Sequence, residues 1–265
     1  MSSTATAEPA APSRPDTQRR LLYVAWQDPD SRAFVPVGRL GRDCTDGEVA
    51  YEYRYLRNAE RLERFRPFVG FPHLRQAYRS SELFPFFENR LMPRTRPDYP
   101  DFVGALGLAP DADPFEVLAR SEGRRQTDTI EVFPQPELDD SVARCRFLVH
   151  GVRYVPGAQD AIDSLARGDR LRLLVDRQNP TDTCAVLLRD DSFRLLGWVP
   201  RYLTELVHTP LDHLGPTGVD VHVEHVGDRD GPVHLRLLCT LEAQWPTDWA
   251  SPMSGPEFEV LPLSG

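Results

Sequence analysis

The sequence predicts an α+β N-terminal domain followed by a mostly β domain that forms a small barrel. Strand patterns and one well-capped helix alternate in the first half of the chain, and a segment of proline and acidic residues then interrupts them. Many short strand patterns with little helix follow, as is typical of small barrels. A chain of 265 residues is long enough for two modest domains, each with its own core.

The chain before the first strand is polar and contains several prolines. Residues 1–20 offer too few apolar side chains to offset the entropy of ordering them, so we expect a disordered leader. Residues 21–26 and 34–40 are rich in β-forming residues and lie on either side of a turn at 28–30. A third strand is expected at 51–55, where tyrosines alternate with charged residues.

Helix signals follow in the second half of this domain. Asp113 can cap a helix that has Pro114 at its first position, with Glu116 completing a capping-box-like pair. Gly123 fits the end of this helix. A shorter helix is expected at 100–106, where the apolar residues share one face.

A strand pattern at 129–133 ends the first domain, and a candidate linker comes next. Residues 135–143 combine proline with acidic residues, and their pattern does not favour burial. We therefore predict one domain at 21–134, a second at 144–245, and a tail of Pro, Ser and acidic residues at 246–265.

The second domain contains six strand patterns and two short helix patterns. The strands are expected at 145–149, 171–175, 185–188, 193–198, 219–226 and 233–241, and the helices at 160–165 and 200–207. The last two strands are expected to pair as a hairpin across residues 228–231, which end in Asp-Gly.

The composition excludes several classes of protein. None of the 31 basic residues is lysine, which P-loop proteins, protein kinases and Schiff-base enzymes require. The sequence also lacks a nucleophile elbow, so we expect a protein that is not an enzyme and needs no cofactor. No apolar run could span a membrane and no signal peptide is recognisable, which predicts a cytoplasmic protein with no membrane partner.

The sequence gives little support to a metal or disulfide site. The four cysteines are far apart and form no Cys-x-x-Cys pair. A metal would need ligands from the predicted hairpin, but residues three apart on a strand point to opposite faces, so we predict none. The residues concerned are His222, His225, His234 and Cys239.

Four separated blocks of the second domain resemble the HIRAN domain family, which is found alone in bacteria and in certain eukaryotic fork-remodelling helicases. The blocks are 149–154 (VHGVRY), 168–171 (GDRL), 176–186 (DRQNPTDTCAV) and 196–201 (LGWVPR). The resemblance implies an OB-like or SH3-like barrel that binds DNA, captures the 3' end of a single strand, and serves DNA repair, replication forks or damaged-DNA recognition.

Six residues of these blocks match positions that contact nucleic acid in the family: Arg153, Tyr154, Asn179, Asp182, Trp198 and Arg201. By this resemblance Asp182 accepts a hydrogen bond from a terminal 3'-hydroxyl and repels a 3'-phosphate. Arg153 and Arg201 lie near phosphates, where a guanidinium can bind two oxygens. Tyr154 offers a ring for base stacking, worth about 1–3 kcal/mol, and Asn179 shapes its loop.

The sequence departs from the family pattern at two aromatic positions. Thr181 and Val155 stand where characterised members carry aromatic residues, and Trp198 can replace one of them. Residues 144–207 carry 10 Arg against 8 acidic residues, whereas residues 208–265 carry 2 Arg against 9. With a net charge of −9, this distribution favours a narrow site for one strand end over coating of long DNA.

The first domain resembles the amino-terminal region of HipA-type toxin kinases, without their catalytic region. The matching segments are 37–40 (VGRL), 51–55 (YEYRY), 83–92 (LFPFFENRLM) and 113–119 (DPFEVLA). This resemblance implies a scaffold and supports an alternative function, a non-catalytic protein-protein adaptor related to toxin-antitoxin modules. Exposure of residues 84–87 would favour the adaptor, and burial would favour plain core.

Overall fold

The computed structural model describes residues 18–31, 33–45, 47–125, 128–179 and 182–264. Most of the predicted leader lies outside the described residues, but residues 18–20 already belong to the first strand. The leader was therefore predicted too long at its C-terminal end, because these residues pair with the strand that follows. No helix in the described part of the chain is long and apolar enough to cross a membrane.

The N-terminal part combines a five-stranded antiparallel sheet with short helices. Its elements are β1 (Gln18–Gln27), β2 (Phe34–Thr45), β3 (Glu48–Tyr55), α1 (Asn58–Arg61), β4 (Tyr78–Ser80), α2 (Pro85–Glu88), α3 (Tyr99–Ala105), α4 (Pro114–Ser121) and β5 (Ile130–Pro134). The strand order in the sheet is β4-β3-β2-β1-β5. The tyrosines of β3 alternate as expected and are buried at Tyr51, Tyr53 and Tyr55. Asp113 caps α4 by accepting a hydrogen bond from the Phe115 amide at 2.8 Å.

An aromatic cluster fills the core of this part. Phe71 and Phe87 are buried beside Tyr53, with ring centroids 4.2 and 5.7 Å from its ring. Phe84 and Phe86 pack against the same cluster and are partly buried. The segment 84–87 therefore packs mainly against the core, with Phe87 buried and Phe84 and Phe86 partly exposed.

The C-terminal part is built on a seven-stranded antiparallel sheet. Its elements are β6 (Glu137–Asp139), β7 (Val142–Leu148), α5 (Ala158–Asp163), β8 (Arg170–Val175), β9 (Val186–Arg189), β10 (Leu195–Trp198), α6 (Thr204–Leu214), β11 (Val219–Val226) and β12 (Leu237–Gln244). The strand order in the sheet is β10-β9-β8-β11-β12-β7-β6. The mostly β character expected for this half of the chain is confirmed.

The expected barrel is not closed. β6 pairs with the first residues of β7, from Val142 to Arg144, and forms one edge of the sheet. β10 forms the other edge and pairs with β9. Its link to the opposite side of the sheet is a single bridge between Trp198 and His150, two residues after β7 ends. The sheet curls far enough for this contact, but in the described part of the chain no continuous ladder joins its two edges.

The hairpin between the last two strands also differs from the expectation. β11 and β12 pair from Val226 and Leu237, so residues 227–236 form a long connection instead of an Asp-Gly turn. The Arg236 guanidinium is buried, donates to the Gly227 carbonyl at 2.6 Å and pairs with Asp163. Arg236 thus ties the two ends of this connection to each other and to α5.

The two parts share apolar contacts across the predicted boundary. Residues 135–143 contain β6 and the start of β7, and Tyr23 and Phe133 belong to the same core cluster as the C-terminal sheet. The predicted tail at 246–265 returns to the N-terminal sheet, where the Leu261 amide donates to the Tyr55 carbonyl at 2.9 Å. The division into two domains stays a prediction.

The returning C-terminal segment should contribute to stability through Leu261. This side chain is 3% exposed and belongs to the N-terminal core cluster, whereas Leu263 is 53% exposed. We expect Leu261→Ala to lower the free energy of unfolding in urea by about 2–5 kcal/mol, as for other buried leucines. The matched control Leu263→Ala should change it by less than about 0.5 kcal/mol. Equal effects would contradict a structural role for this segment.

Candidate nucleic-acid interface

Trp198 is the point at which three of the four sequence blocks meet. Its backbone exchanges two hydrogen bonds with His150, each 2.9 Å long, and its indole Nε1 donates to Asp176 Oδ2 at 3.4 Å. Gly151 lies against the indole ring, and a Cβ built on this glycine would be 2.5 Å from Trp198 Cε3. Glycine is therefore required at position 151 by the packing of Trp198 as well as by its φ of +70°.

The loop after β8 is held by its own polar side chains. Asn179 Nδ2 donates to Asp176 Oδ2 at 3.1 Å, and Asn179 Oδ1 accepts from the Asp182 amide at 3.1 Å. Asp182 Oδ1 in turn accepts from the Cys184 amide at 3.0 Å. These are the local bonds by which Asn and Asp shape turns. Pro180 and Thr181 lie outside the described residues.

Asp182 forms an ion pair with Arg201, which lies three residues after β10 ends. Arg201 Nε lies 3.4 Å from Asp182 Oδ2, and the two side chains are 48% and 17% exposed, respectively. The carboxylate is thus shielded while half of the guanidinium surface remains in solvent. A ligand that reaches Asp182 must therefore pass close to Arg201.

Arg153 and Tyr154 form an exposed pair on the turn that follows Gly151. The Tyr154 side chain is 66% exposed, and Arg153 Cζ lies 4.6 Å from the centre of its ring. The guanidinium also donates a hydrogen bond to the Tyr154 hydroxyl. One face of an aromatic ring beside a cation is a suitable platform for a nucleobase. Val155, which stands at one of the two positions where the family carries an aromatic residue, is partly buried against the core.

Four of the six predicted residues are therefore linked in one chain of polar contacts. Hydrogen bonds and an ion pair run from Trp198 through Asp176 and Asn179 to Asp182 and Arg201. Among the described residues, no hydrogen bond or ion pair joins the Arg153–Tyr154 pair to this chain, and its link is the packing of Gly151 on Trp198. The binding roles of all six residues stay predictions.

A cleft of about 280 Å³ lies between Asp182, Arg201 and the N-terminal sheet. Its lining includes the carboxylates of Glu205 and Glu257 and the ring of Phe34. Partial burial raises the pKa of Glu205, and the nearby Glu257 raises it further. The cleft is therefore unfavourable for a phosphate group and better suited to an uncharged one.

A buried cluster around Glu122, which the sequence analysis did not find, supports this interface from the N-terminal side. His150 Nε2 lies 2.9 Å from both Glu122 carboxylate oxygens, the Tyr202 hydroxyl donates to Glu122 Oε1 at 2.9 Å, and Arg124 Nε lies 3.1 Å from Oε2. Arg124 also pairs with Glu131. α4 ends at Glu122, with a φ of +58°, and the expected Gly123 follows it with a φ of +55°. No local sequence signal indicates such a cluster, because its members come from three distant segments.

The ionised form of Glu122 is strongly favoured. Burial by itself works to raise the pKa of Glu122, but the charge interactions with His150 and Arg124 outweigh it and hold this pKa well below its ordinary value of 4.5. The pKa of Glu131 is raised, mainly by burial and partly by the neighbouring Glu122 charge. The Glu122 carboxylate thus acts as the anion that two segments of the C-terminal part contact.

The candidate metal ligands do not form a site in the described residues. No three His, Cys, Asp or Glu side chains of this part of the chain are grouped as a metal ion would need. Cys239 is buried, which raises the pKa of its thiol, and burial lowers the pKa of His234. The four cysteines are free thiols.

An exposed aromatic ring beside a guanidinium, as at Tyr154 and Arg153, is suited to binding a ligand by stacking. Residues 142–245 match the HIRAN domain family model, and this segment of the chain is a HIRAN domain. The resemblance of the N-terminal part to HipA-type kinases stays a prediction.

Two solved structures are similar to this chain at low identity. A protein from Lactobacillus plantarum is 21% identical, with 38% of this chain and 96% of that one covered, at a TM-score of 0.31. The HIRAN domain of human HLTF is 14% identical, with 41% and 78% covered, at a TM-score of 0.30. No conclusion rests on likenesses of this size. A search of curated proteins found no match.

The packing of Gly151 on Trp198 should be measurable with two alanine substitutions. Gly151 and Gly157 have nearly the same φ, +70° and +76°, but a Cβ at Gly157 meets nothing within 4 Å. Gly157→Ala should therefore cost about 1–2 kcal/mol of unfolding free energy from backbone strain alone. Gly151→Ala should cost about 1–3 kcal/mol more, because the indole ring must move. Similar unfolding midpoints in urea for both variants would contradict this packing.

The buried Glu122 carboxylate should give the fold a pH-dependent stability. Its pKa is lower in the folded chain than in the unfolded chain, so its contribution is present above pH about 4.5 and is lost as the pH falls below that value. Glu122→Gln should lower the free energy of unfolding by about 3–5 kcal/mol at neutral pH, and this deficit should shrink on acidification.

The control for this experiment is Glu137→Gln, because Glu137 is exposed. It should change the free energy of unfolding by less than about 0.5 kcal/mol. A Glu122→Gln deficit that stays constant from pH 7 to pH 3 would show that the charge of Glu122 is not responsible.

Proposed function

We propose that this protein binds single-stranded DNA, and preferentially a 3' strand end, through its HIRAN domain, without catalysing a reaction. HIRAN domains are known for DNA binding, and a nucleic-acid-binding function fits this one. The observation that carries the proposal is the exposed Tyr154 ring with Arg153 on it, inside the matched segment. Such a ring stacks on a base of any identity, and its arginine attracts the strand.

The preference for a 3'-hydroxyl is supported by the charges around Asp182. A hydroxyl can donate to this carboxylate, whose second oxygen faces Arg201 at 3.4 Å. A 3'-phosphate would bring further negative charge towards Asp182 and the cleft carboxylates Glu205 and Glu257. The same arrangement leaves Arg201 available to the last internal phosphate of the strand.

The N-terminal part is assigned a supporting role in this proposal. Its Glu122 contacts His150 and Tyr202, which neighbour Gly151 and Arg201 in the sequence. The aromatic segment 84–87 is packed into the core, so the adaptor hypothesis gains no support from it. A role at replication forks or damaged DNA is consistent with strand-end binding and is part of the same proposal.

Fluorescence anisotropy with labelled oligothymidylates tests strand-end binding. Wild-type protein should bind an oligonucleotide with a 3'-hydroxyl about tenfold more tightly than the same one with a 3'-phosphate, a difference of about 1.4 kcal/mol. Asp182→Asn keeps an oxygen to accept from the Cys184 amide but removes the charge, so it should reduce this discrimination. Tyr154→Ala should weaken binding of both oligonucleotides about tenfold, because a stacked base is lost.

Arg153→Gln and Arg79→Gln form a matched pair of charge variants. Arg79 is exposed and pairs with Glu52 in the N-terminal sheet, away from the proposed interface. Only Arg153→Gln should weaken binding, and it should also reduce the salt dependence of the affinity. Equal binding of the two 3' ends by wild type and Asp182→Asn would refute end recognition, and absence of binding at low salt would refute the whole proposal.

A further inference from the structure

A second exposed aromatic ring lies at the tip of the hairpin between β9 and β10. Phe193 is 76% exposed and has a φ of +66°, which bulky side chains rarely adopt. The turn is fixed by the Asp190 amide, which donates to the Arg194 carbonyl at 3.1 Å, and by the Phe193 amide, which donates to the Asp190 carbonyl at 3.2 Å. Glycine is the usual residue at such a position of a three-residue hairpin loop, so the ring is placed in solvent against the local preference.

Arg189 covers one face of this ring. Its Cζ lies 4.3 Å from the centre of the Phe193 ring, and its Nη1 donates to the Asp190 carbonyl at 3.0 Å. The other two arginines near the turn are already paired, Arg194 with Asp190 and Arg172 with Asp191. Arg189 forms no ion pair with any residue that the structure describes, so its charge is available to an anionic ligand.

The Phe193 ring continues the surface that carries Trp198. Residues directly opposite each other in neighbouring strands share a face of the sheet. By this criterion two rows of side chains lie next to each other on the outer face of β8, β9 and β10. We call this surface the hairpin face. One row is Arg172, Arg189 and Leu195, and the other is Leu174, Leu187 and Trp198. The core side of these strands is formed by other residues, including Leu188 and Leu196.

The hairpin face leads from the candidate strand-end site to the turn. Trp198 and Leu195 are about 10 Å apart along β10 at the usual rise of a strand, and Phe193 lies two residues further on. Leu174 and Leu195 are exposed between the two ends. The face therefore has an aromatic ring at each end, with the exposed Leu174 and Leu195 and the buried Leu187 between them.

We propose that Phe193 and Arg189 form a second base-stacking platform, which holds a nucleotide further from the 3' end of the same bound single strand. This inference rests on the proposed function. Nucleic acid is favoured as the occupant because the Phe193–Arg189 pair repeats the ring-and-guanidinium arrangement of Tyr154 and Arg153. Residues 170–201 also carry 6 Arg against 4 Asp, an excess of two positive charges in a chain of net charge −9.

The test uses the full chain and oligothymidylates of about 12 nucleotides, within the site sizes of single-strand-binding folds. Each has a 3'-hydroxyl, and one nucleotide at a time is made abasic. Removal of a base that stacks on Phe193 should weaken wild-type binding about tenfold. Phe193→Gly should bind the intact strand about tenfold more weakly, and the same abasic position should then cause no further loss.

Two further variants separate stacking from folding. Phe193→Gly suits the positive φ of the turn, so it should unfold at a urea concentration no lower than wild type. Phe193→Trp keeps an aromatic ring and should bind the intact strand as wild type does. Tyr154→Ala should remove the sensitivity to an abasic nucleotide at a different position, nearer the 3' end.

The outcomes distinguish this inference from the proposed function. If wild type binds the strand but Phe193→Gly gives the same affinities at every abasic position, the second platform is refuted and strand-end binding stands. If wild type binds none of the oligonucleotides, the proposed function is refuted and the second platform with it. Loss of binding in Phe193→Gly, retention in Phe193→Trp and one shared abasic position together support the platform.

Discussion

The candidate nucleic-acid interface depends on the contacts that the buried Glu122 carboxylate forms. Glu122 ends α4 in a left-handed conformation and contacts His150, Tyr202 and Arg124 within about 3 Å. His150 exchanges backbone hydrogen bonds with Trp198, and Tyr202 follows Arg201 directly. A buried anion is tolerated only where charges and donors surround it. The requirement to satisfy this one group therefore fixes two segments of the HIRAN domain against the N-terminal sheet.

This arrangement gives the N-terminal part a physical role in the candidate site. Phe34 and Glu131 of the N-terminal sheet line the cleft beside Asp182 and Arg201, and Phe133 stacks on Tyr202 with ring centroids 4.4 Å apart. The returning C-terminal segment contributes Glu257 to the same cleft. The chemistry of the cleft thus comes from three parts of the chain, although the family match covers only residues 142–245.

The positive charges of this protein, in the part of the chain that the structure describes, are mostly paired with nearby acceptors and do not form a broad basic surface. Its net charge is −9, and most arginines of the described residues are engaged with carboxylates or carbonyls. Arg153 and Arg189 lie on exposed rings and form no ion pair with any described residue. Such pairs can hold a flexible strand by stacking and a few charges, without the broad basic surface that duplex binding needs.

Short stretches of sequence were enough to predict several local elements and the family of the C-terminal segment. Alternation placed Tyr53 in a buried strand, Asp113 marked the start of α4, and the four blocks identified the HIRAN domain, because each signal lies within a short stretch of chain. The folded structure, in contrast, was needed to show that the sheet stays open and that Glu122 is buried beside His150. It also decided that Phe193 stands exposed over Arg189 on the face of Trp198. These features depend on contacts between distant segments and on strand register, which local patterns do not specify.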